Sequence, residues 1–215
     1  QAAARNIPFY VALLKSYPHR HLHCLALEGL AHIPDERVIT HLLDYAVSPL
    51  DVHSDRDRIG YCLGRIYSGP GDPFGTIHDR LRKADLHDDN VGWYLFALAS
   101  CCMRVPDREV REDVVVPYLR SPRPRVKYYA VLALALGGHP EYQKELLAPL
   151  TTGNTDLQQL AAEVAHCIGS GKTSWVGRID PASEIKALRS RLGELKEDTN
   201  KASEPSVAPA PQVQR

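Results

Sequence analysis

A short basic segment in the second half of the chain is the first place to look for binding chemistry. Between Arg120 and Lys127 there are four cations in eight residues, Arg123 and Arg125 being the other two, and Tyr128 follows directly. Guanidinium groups donate paired hydrogen bonds to phosphates and to carboxylates. The four cations, named here the basic rim, therefore predict a contact with phosphate or with an acidic protein surface. An ordinary solvated turn is the alternative.

Two histidines near the N-terminus have a spacing that could hold a metal. His19 and His23 are four residues apart and would share one face of a helix, which is a workable arrangement for zinc. A third ligand would have to come from elsewhere in the fold, and the chain has no Cys-x-x-Cys pair and no His-Glu-x-x-His motif. We therefore expect surface histidines at a helix start, with no metal and no other cofactor.

Other patterns give little support to an enzyme. The glycine-rich segment 169–174 lacks the first glycine of a phosphate-binding loop, since His166 stands there, and a helix rather than a strand precedes it. Cys101 and Cys102 are adjacent, but no base can be identified beside them. The sequence favours a protein without enzymatic activity.

Composition narrows the class of protein further. The chain has 215 residues, with 26 Lys and Arg against 26 Asp and Glu, and this balance argues against a general polyanion binder. No apolar run approaches the roughly 20 residues of a membrane-spanning helix, so no membrane partner is expected. The five cysteines are an odd number and lie in apolar stretches, which favours buried thiols in a reducing cytoplasm.

The elements that would position these residues are helical. Apolar positions recur at three and four residues, strict alternation is absent, and Pro, Gly and Asp punctuate the chain, so the sequence predicts an all-α fold. The punctuation repeats, because Asp35, Asp72, Asp107 and Glu141 follow one another at nearly equal intervals. A regular period of this length with two helices in each unit predicts an α-solenoid of about five helical hairpins.

Two segments resemble the second helix of a HEAT repeat. In 125–137 a Val-Lys pair precedes small residues and an Ala-Leu-Gly ending, and 156–169 has an Asp before the helix and paired alanines within it. The resemblance covers about 7–170. It implies a right-handed solenoid whose second helices line a concave groove, and it places near that groove the polar and aromatic residues Arg58, Arg65, Trp93, Lys127, Tyr128 and Gln158.

The chain divides into three parts. Residues 1–170 are predicted to form the HEAT-like solenoid, and 171–198 a linker with a terminal helix that begins at Asp180 and caps the last repeat. Residues 199–215 are rich in Ala, Pro, Ser and Gln and are expected to be disordered.

Trp, Tyr and Arg are the residue types that dominate protein interfaces. We therefore expect a non-enzymatic adaptor or scaffold that binds another protein through the concave face, for example in regulation or toxin neutralisation. Nucleic-acid binding through Arg120, Arg123 and Arg125 is the first alternative. The resemblance also allows an accessory or lyase-like protein that acts on a partner protein.

Overall fold

The computed structural model describes residues 3–16, 20–33, 35–48, 56–66, 72–88, 90–103, 105, 108–151, 157–162 and 164. These residues are mostly helical and include no strand, which confirms the prediction of an all-α fold. The α-helices are α1 (Ile7–Ser16), α2 (Arg20–Ala31), α3 (Glu36–Ala46), α4 (Arg56–Ile66), α5 (Pro73–Lys83), α6 (Val91–Cys102), α7 (Glu112–Val115), α8 (Pro124–Leu136) and α9 (Gln143–Leu147). Shorter 3₁₀ turns cover Ala3–Asn6, Val116–Arg120, Pro140–Tyr142 and Ala148–Thr151.

Two of the repeated acidic residues begin a helix. The Asp35 carboxylate accepts the backbone N–H of Arg37 at 3.0 Å at the start of α3, and Asp72 accepts that of Gly75 at 3.2 Å at the start of α5. Hydrogen bonds from the side chain and backbone of Arg37 lower the pKa of Asp35 to about 2. A carboxylate at this position satisfies an N–H group that the helix itself leaves unpaired.

The helices pack in two rows. In the first row, the Cys62 thiol of α4 lies 3.3 Å from the Leu27 carbonyl of α2, and the ring centroids of Phe96 in α6 and Tyr129 in α8 are 5.1 Å apart. In the second row, α3 contacts α1 and α5, and α5 contacts α7. Of the described helices, α6 and α8 are covered on nearly every side and are central to the core.

The helices α4 and α6 approach each other closely at Gly60. A Cβ atom added to Gly60 would overlap the side chain of Ser100, so glycine is required at that position. The Cys101 thiol lies 3.9 Å from the Gly60 carbonyl, in agreement with this close contact. Small residues therefore set the distance between these two helices.

Some predictions concern residues that the structure does not describe. The linker and terminal helix of 171–198 and the tail of 199–215 lie outside the described residues, and so does Asp107. None of the helices in the described ranges has both the length and the apolar character needed to cross a lipid bilayer.

Candidate functional site

The basic rim lies at the start of α8. Arg120, Arg123, Arg125 and Lys127 are all exposed, and α8 begins at Pro124 in the middle of them. Arg123 occupies the N-cap with an extended backbone, and its own N–H donates to the Ser121 hydroxyl at 3.2 Å. The first turn of α8 contains no acidic residue. The positive end of the helix dipole and four cations therefore concentrate positive charge at one place.

Trp93 lies beside this rim. It belongs to the first turn of α6, is half-buried, and its ring centroid is 5.9 Å from that of Tyr129 in α8. The neighbouring Gly92 packs against Val126, which lies between two residues of the rim. The starts of α6 and α8 therefore lie together, and we group Trp93 and the basic rim as one candidate surface. This aromatic–basic surface comprises Trp93, Arg120, Arg123, Arg125 and Lys127.

Tyr128 does not belong to this surface, although the sequence placed it at the groove. Only 3% of the residue is exposed, and its hydroxyl donates to the Leu146 carbonyl at 3.3 Å. Burial raises the pKa of Tyr128. Its side chain joins α8 to the following helix α9, so Tyr128 is a core residue that a partner could not contact in this structure.

The other predicted groove residues are dispersed. Arg65 is exposed at the end of α4, where its guanidinium lies 3.3 Å from Nδ1 of His32, just after α2. Gln158 is half-buried in the helical stretch 157–162. Arg58 lies in α4, and its side chain is outside the described part of the structure. Among the predicted groove residues whose side chains the structure describes, Lys127 belongs to the rim, and Trp93 lies at the adjacent start of α6.

Of the two histidines whose spacing could suit a metal, His23 is buried in the structure and does not lie at the surface. His23 is 1% exposed, and its Nδ1 lies 2.7 Å from the Tyr45 hydroxyl in α3. The two rings also meet edge to face, with centroids 5.7 Å apart. His23 thus links α2 to α3 in the core, which corrects the expectation of a surface histidine. His19 lies outside the described residues.

A different set of residues has the composition of a metal site. Ligand atoms of Glu112, His139 and Glu141 all lie within 4.8 Å of one another, and no other group of this kind occurs in the described ranges. The Tyr142 hydroxyl donates to Glu112 at 2.9 Å, and this hydrogen bond raises the pKa of Tyr142. We name these three ligand residues the carboxylate–histidine cluster. The sequence shows His139 and Glu141 two residues apart, but only the fold brings Glu112 to them.

The turn after α8 fixes the position of the buried histidine. The Val110 N–H donates to the Gly137 carbonyl at 2.8 Å, and Nε2 of His139 lies 2.8 Å from the Val110 carbonyl. A Cβ atom on Gly137 would overlap the Val110 side chain. Gly138 has a φ of 95°, a backbone conformation that favours glycine. The two glycines therefore let the turn pass close to Val110 and hold His139 against it.

Comparison with protein families, with curated proteins and with solved structures finds no match to this chain. Two features lie at opposite ends of α8: the aromatic–basic surface at its start and the carboxylate–histidine cluster beyond its end. The whole length of this helix, Pro124–Leu136, lies between them. They are therefore two separate sites.

Proposed function

We propose that this protein is a non-enzymatic adaptor that binds another protein through its aromatic–basic surface. The helices would form a HEAT-like solenoid in which α2, α4, α6 and α8 are the second helices of successive hairpins. The observation that carries the proposal is the set of four exposed cations at the start of α8, next to the half-buried Trp93.

The positive charge of this surface lowers the stability of α8, the helix at whose start the cations lie. Helices are stabilised by carboxylates near the N-terminus, and a cation there costs about 0.3–1 kcal/mol. The chain has instead an arginine at the N-cap of α8 and further cations in its first turn. Local conflicts of this kind are typical of functional sites, where binding outweighs the loss of stability.

The chemistry of the surface favours an acidic protein partner. Arginine forms two parallel hydrogen bonds with a carboxylate, and tryptophan supplies a large rigid contact area at the centre of many interfaces. Phosphate would satisfy the same cations, so a nucleic acid is the competing ligand. The zero net charge of the chain argues for the protein, since most of the surface would not attract a polyanion.

Affinity capture with matched variants tests this proposal. The tagged protein is used to capture partners from a nuclease-treated extract of its source cells, alongside Trp93→Ala, Arg125→Glu/Lys127→Glu and a control, Arg5→Glu/Lys15→Glu. The control reverses two exposed cations in the N-terminal elements, outside the aromatic–basic surface, and changes the net charge equally. We expect the wild type and the control to retain a stoichiometric protein that both surface variants lose. Equal retention by all four proteins would contradict the proposal, provided that circular dichroism shows them folded.

Fluorescence anisotropy tests whether a nucleic acid, the competing ligand, binds this surface. Labelled single-stranded and duplex oligonucleotides of mixed sequence are titrated at low and at physiological salt. The proposal predicts no saturable binding. Binding that falls steeply with salt and is lost in Arg125→Glu/Lys127→Glu would instead assign the surface to a nucleic acid.

A further inference from the structure

The carboxylate–histidine cluster has no part in the proposed adaptor function. We propose that Glu112, His139 and Glu141 bind a divalent transition-metal cation, with zinc as the expected ion. The metal would link the start of α7 to the turn that follows α8.

The hydrogen bonding of His139 carries this inference. The residue is 8% exposed, and its Nε2 lies 2.8 Å from the Val110 carbonyl, which can only accept. In the neutral ring Nε2 therefore carries the proton and Nδ1 a lone pair. Within the part of the chain that the structure describes, Nδ1 has no hydrogen bond, and the nearest charged group is Oε1 of Glu141 at 3.8 Å. An acceptor nitrogen thus faces a carboxylate oxygen, and a cation between them would remove the repulsion.

The surroundings match the outer shell of a metal site. Histidine ligands commonly donate their second ring N–H to a backbone carbonyl, and carboxylate ligands commonly accept a further hydrogen bond. Here Val110 supplies the carbonyl for His139, and the Tyr142 hydroxyl supplies the hydrogen bond to Glu112. Both contacts orient a ligand of the cluster.

The spacing of the cluster is compatible with zinc after a small adjustment. Zinc bonds of about 2.0–2.2 Å place tetrahedral ligands about 3.4 Å apart. The three ligand atoms here lie within 4.8 Å of one another. Glu112 and Glu141 are exposed and can close this gap by rotating their side chains, while His139 stays in place. One imidazole and two carboxylates suit zinc and manganese better than copper(I), which prefers sulfur ligands.

Zinc titration of single-site variants tests the proposal. Metal-free protein is titrated with Zn²⁺ against a chromophoric chelator, and thermal unfolding is recorded with and without Zn²⁺. The variants are Glu112→Gln, His139→Gln and Glu141→Gln, and Glu145→Gln is the control because it removes a nearby exposed carboxylate outside the cluster. Glu141 is exposed, so its variant stays informative if His139→Gln fails to fold.

We expect one equivalent of zinc to bind wild type and Glu145→Gln and to raise their melting temperature. Each cluster variant should bind at least tenfold more weakly. Zinc binding that is unchanged in the cluster variants would overturn the proposal, because the metal would then lie on other histidines or cysteines. A wild type that binds no stoichiometric zinc would also overturn it.

Discussion

At the scale of single residues, His78 links the stability of the fold to pH. It is 4% exposed in α5, and its Nε2 accepts the backbone N–H of Arg111 at 3.3 Å. Burial, together with the charges of Arg111 and Arg82, lowers the pKa of His78 to about 4, and the charges of Asp72 and Asp113 oppose this shift. The unfolded chain, with a pKa near 6.5, therefore takes up a proton between pH 6.5 and 4 that the folded state excludes.

The free energy of unfolding should accordingly be highest above pH 6.5 and fall as the pH decreases towards 4. The contribution of one group has a slope of at most about 1.4 kcal/mol per pH unit. Urea unfolding at pH 7, 6 and 5 measures it, and His78→Gln should flatten the profile because glutamine does not titrate. His87→Gln, at an exposed position, is the control. An identical pH profile for wild type and His78→Gln would show that His78 does not carry this dependence.

Gly60 is a second residue at which a substitution should have a specific effect on stability. Its Cβ would overlap Ser100, so Gly60→Ala should push α4 away from α6 and cost about 1–3 kcal/mol. The double variant Gly60→Ala/Ser100→Gly should recover part of that loss, since Ser100→Gly removes the Cβ atom that the new methyl group would meet. Chemical denaturation of both single variants and the double variant measures the coupling. Gly92→Ala is the control, because its Cβ would meet Val126 at 3.3 Å and displace it only slightly. Additive effects of the two changes would contradict the packing described here.

Residue types alone could not separate the surface from the core. Lys127 and Tyr128 are adjacent and both polar, yet one is exposed and the other is buried with a hydrogen bond to Leu146. A tyrosine suits either place, and the direction of its side chain depends on which neighbours cover the helix. Glu112 shows the same limit, because its partner Tyr142 is distant in the sequence and no local spacing indicates the contact.

At the scale of elements, a substitution at the start of α8 tests whether the positive charge of the basic rim lowers the stability of this helix. Arg123 has an extended backbone at the N-cap, where a carboxylate would accept N–H groups of the first turn. Arg123→Asp should therefore stabilise the protein by about 1 kcal/mol and weaken capture of the partner. Thermal unfolding and the capture experiment measure the two effects. Lower stability for Arg123→Asp would show that the rim does not strain α8.

A substitution at the contact between α8 and α9 should lower the stability of the protein and leave binding of the partner unchanged. Tyr128→Phe removes the hydrogen bond to the Leu146 carbonyl and should cost about 1 kcal/mol of stability. Because the side chain is buried, capture of the partner should not change. Loss of capture by a stably folded Tyr128→Phe would return Tyr128 to the binding surface and contradict its assignment to the core.

Only some helix starts follow from the local sequence. Asp35 and Asp72 each begin a helix, because an N-cap needs only local sequence, whereas Glu141 lies inside the 3₁₀ turn Pro140–Tyr142. The element before the basic rim is less regular: α7 ends at Val115, and a 3₁₀ turn continues from Val116 to Arg120. Pro117 has no backbone N–H to donate, which interrupts the α-helical hydrogen bonds there. Packing then decides how such a segment continues, and the sequence pattern does not reveal it.

At the scale of the whole molecule, neutrality hides an uneven distribution of charge. The 26 cations and 26 carboxylates cancel over the chain, but the exposed basic rim gathers four cations at one end of α8 and Glu112 and Glu141 lie beyond the other. The all-α class followed from apolar periodicity alone. The juxtaposition of Trp93 with the rim depends on how α6 packs on α8, which no single segment encodes.

If the aromatic–basic surface binds another protein, reversing its charge should weaken that binding selectively. Isothermal titration of the captured partner into wild type, Arg125→Glu/Lys127→Glu and Arg5→Glu/Lys15→Glu measures this effect. We expect one saturable site in the wild type and in the Arg5→Glu/Lys15→Glu control, with affinity at least tenfold weaker in Arg125→Glu/Lys127→Glu. Equal affinities for all three proteins would show that the partner does not bind at this surface.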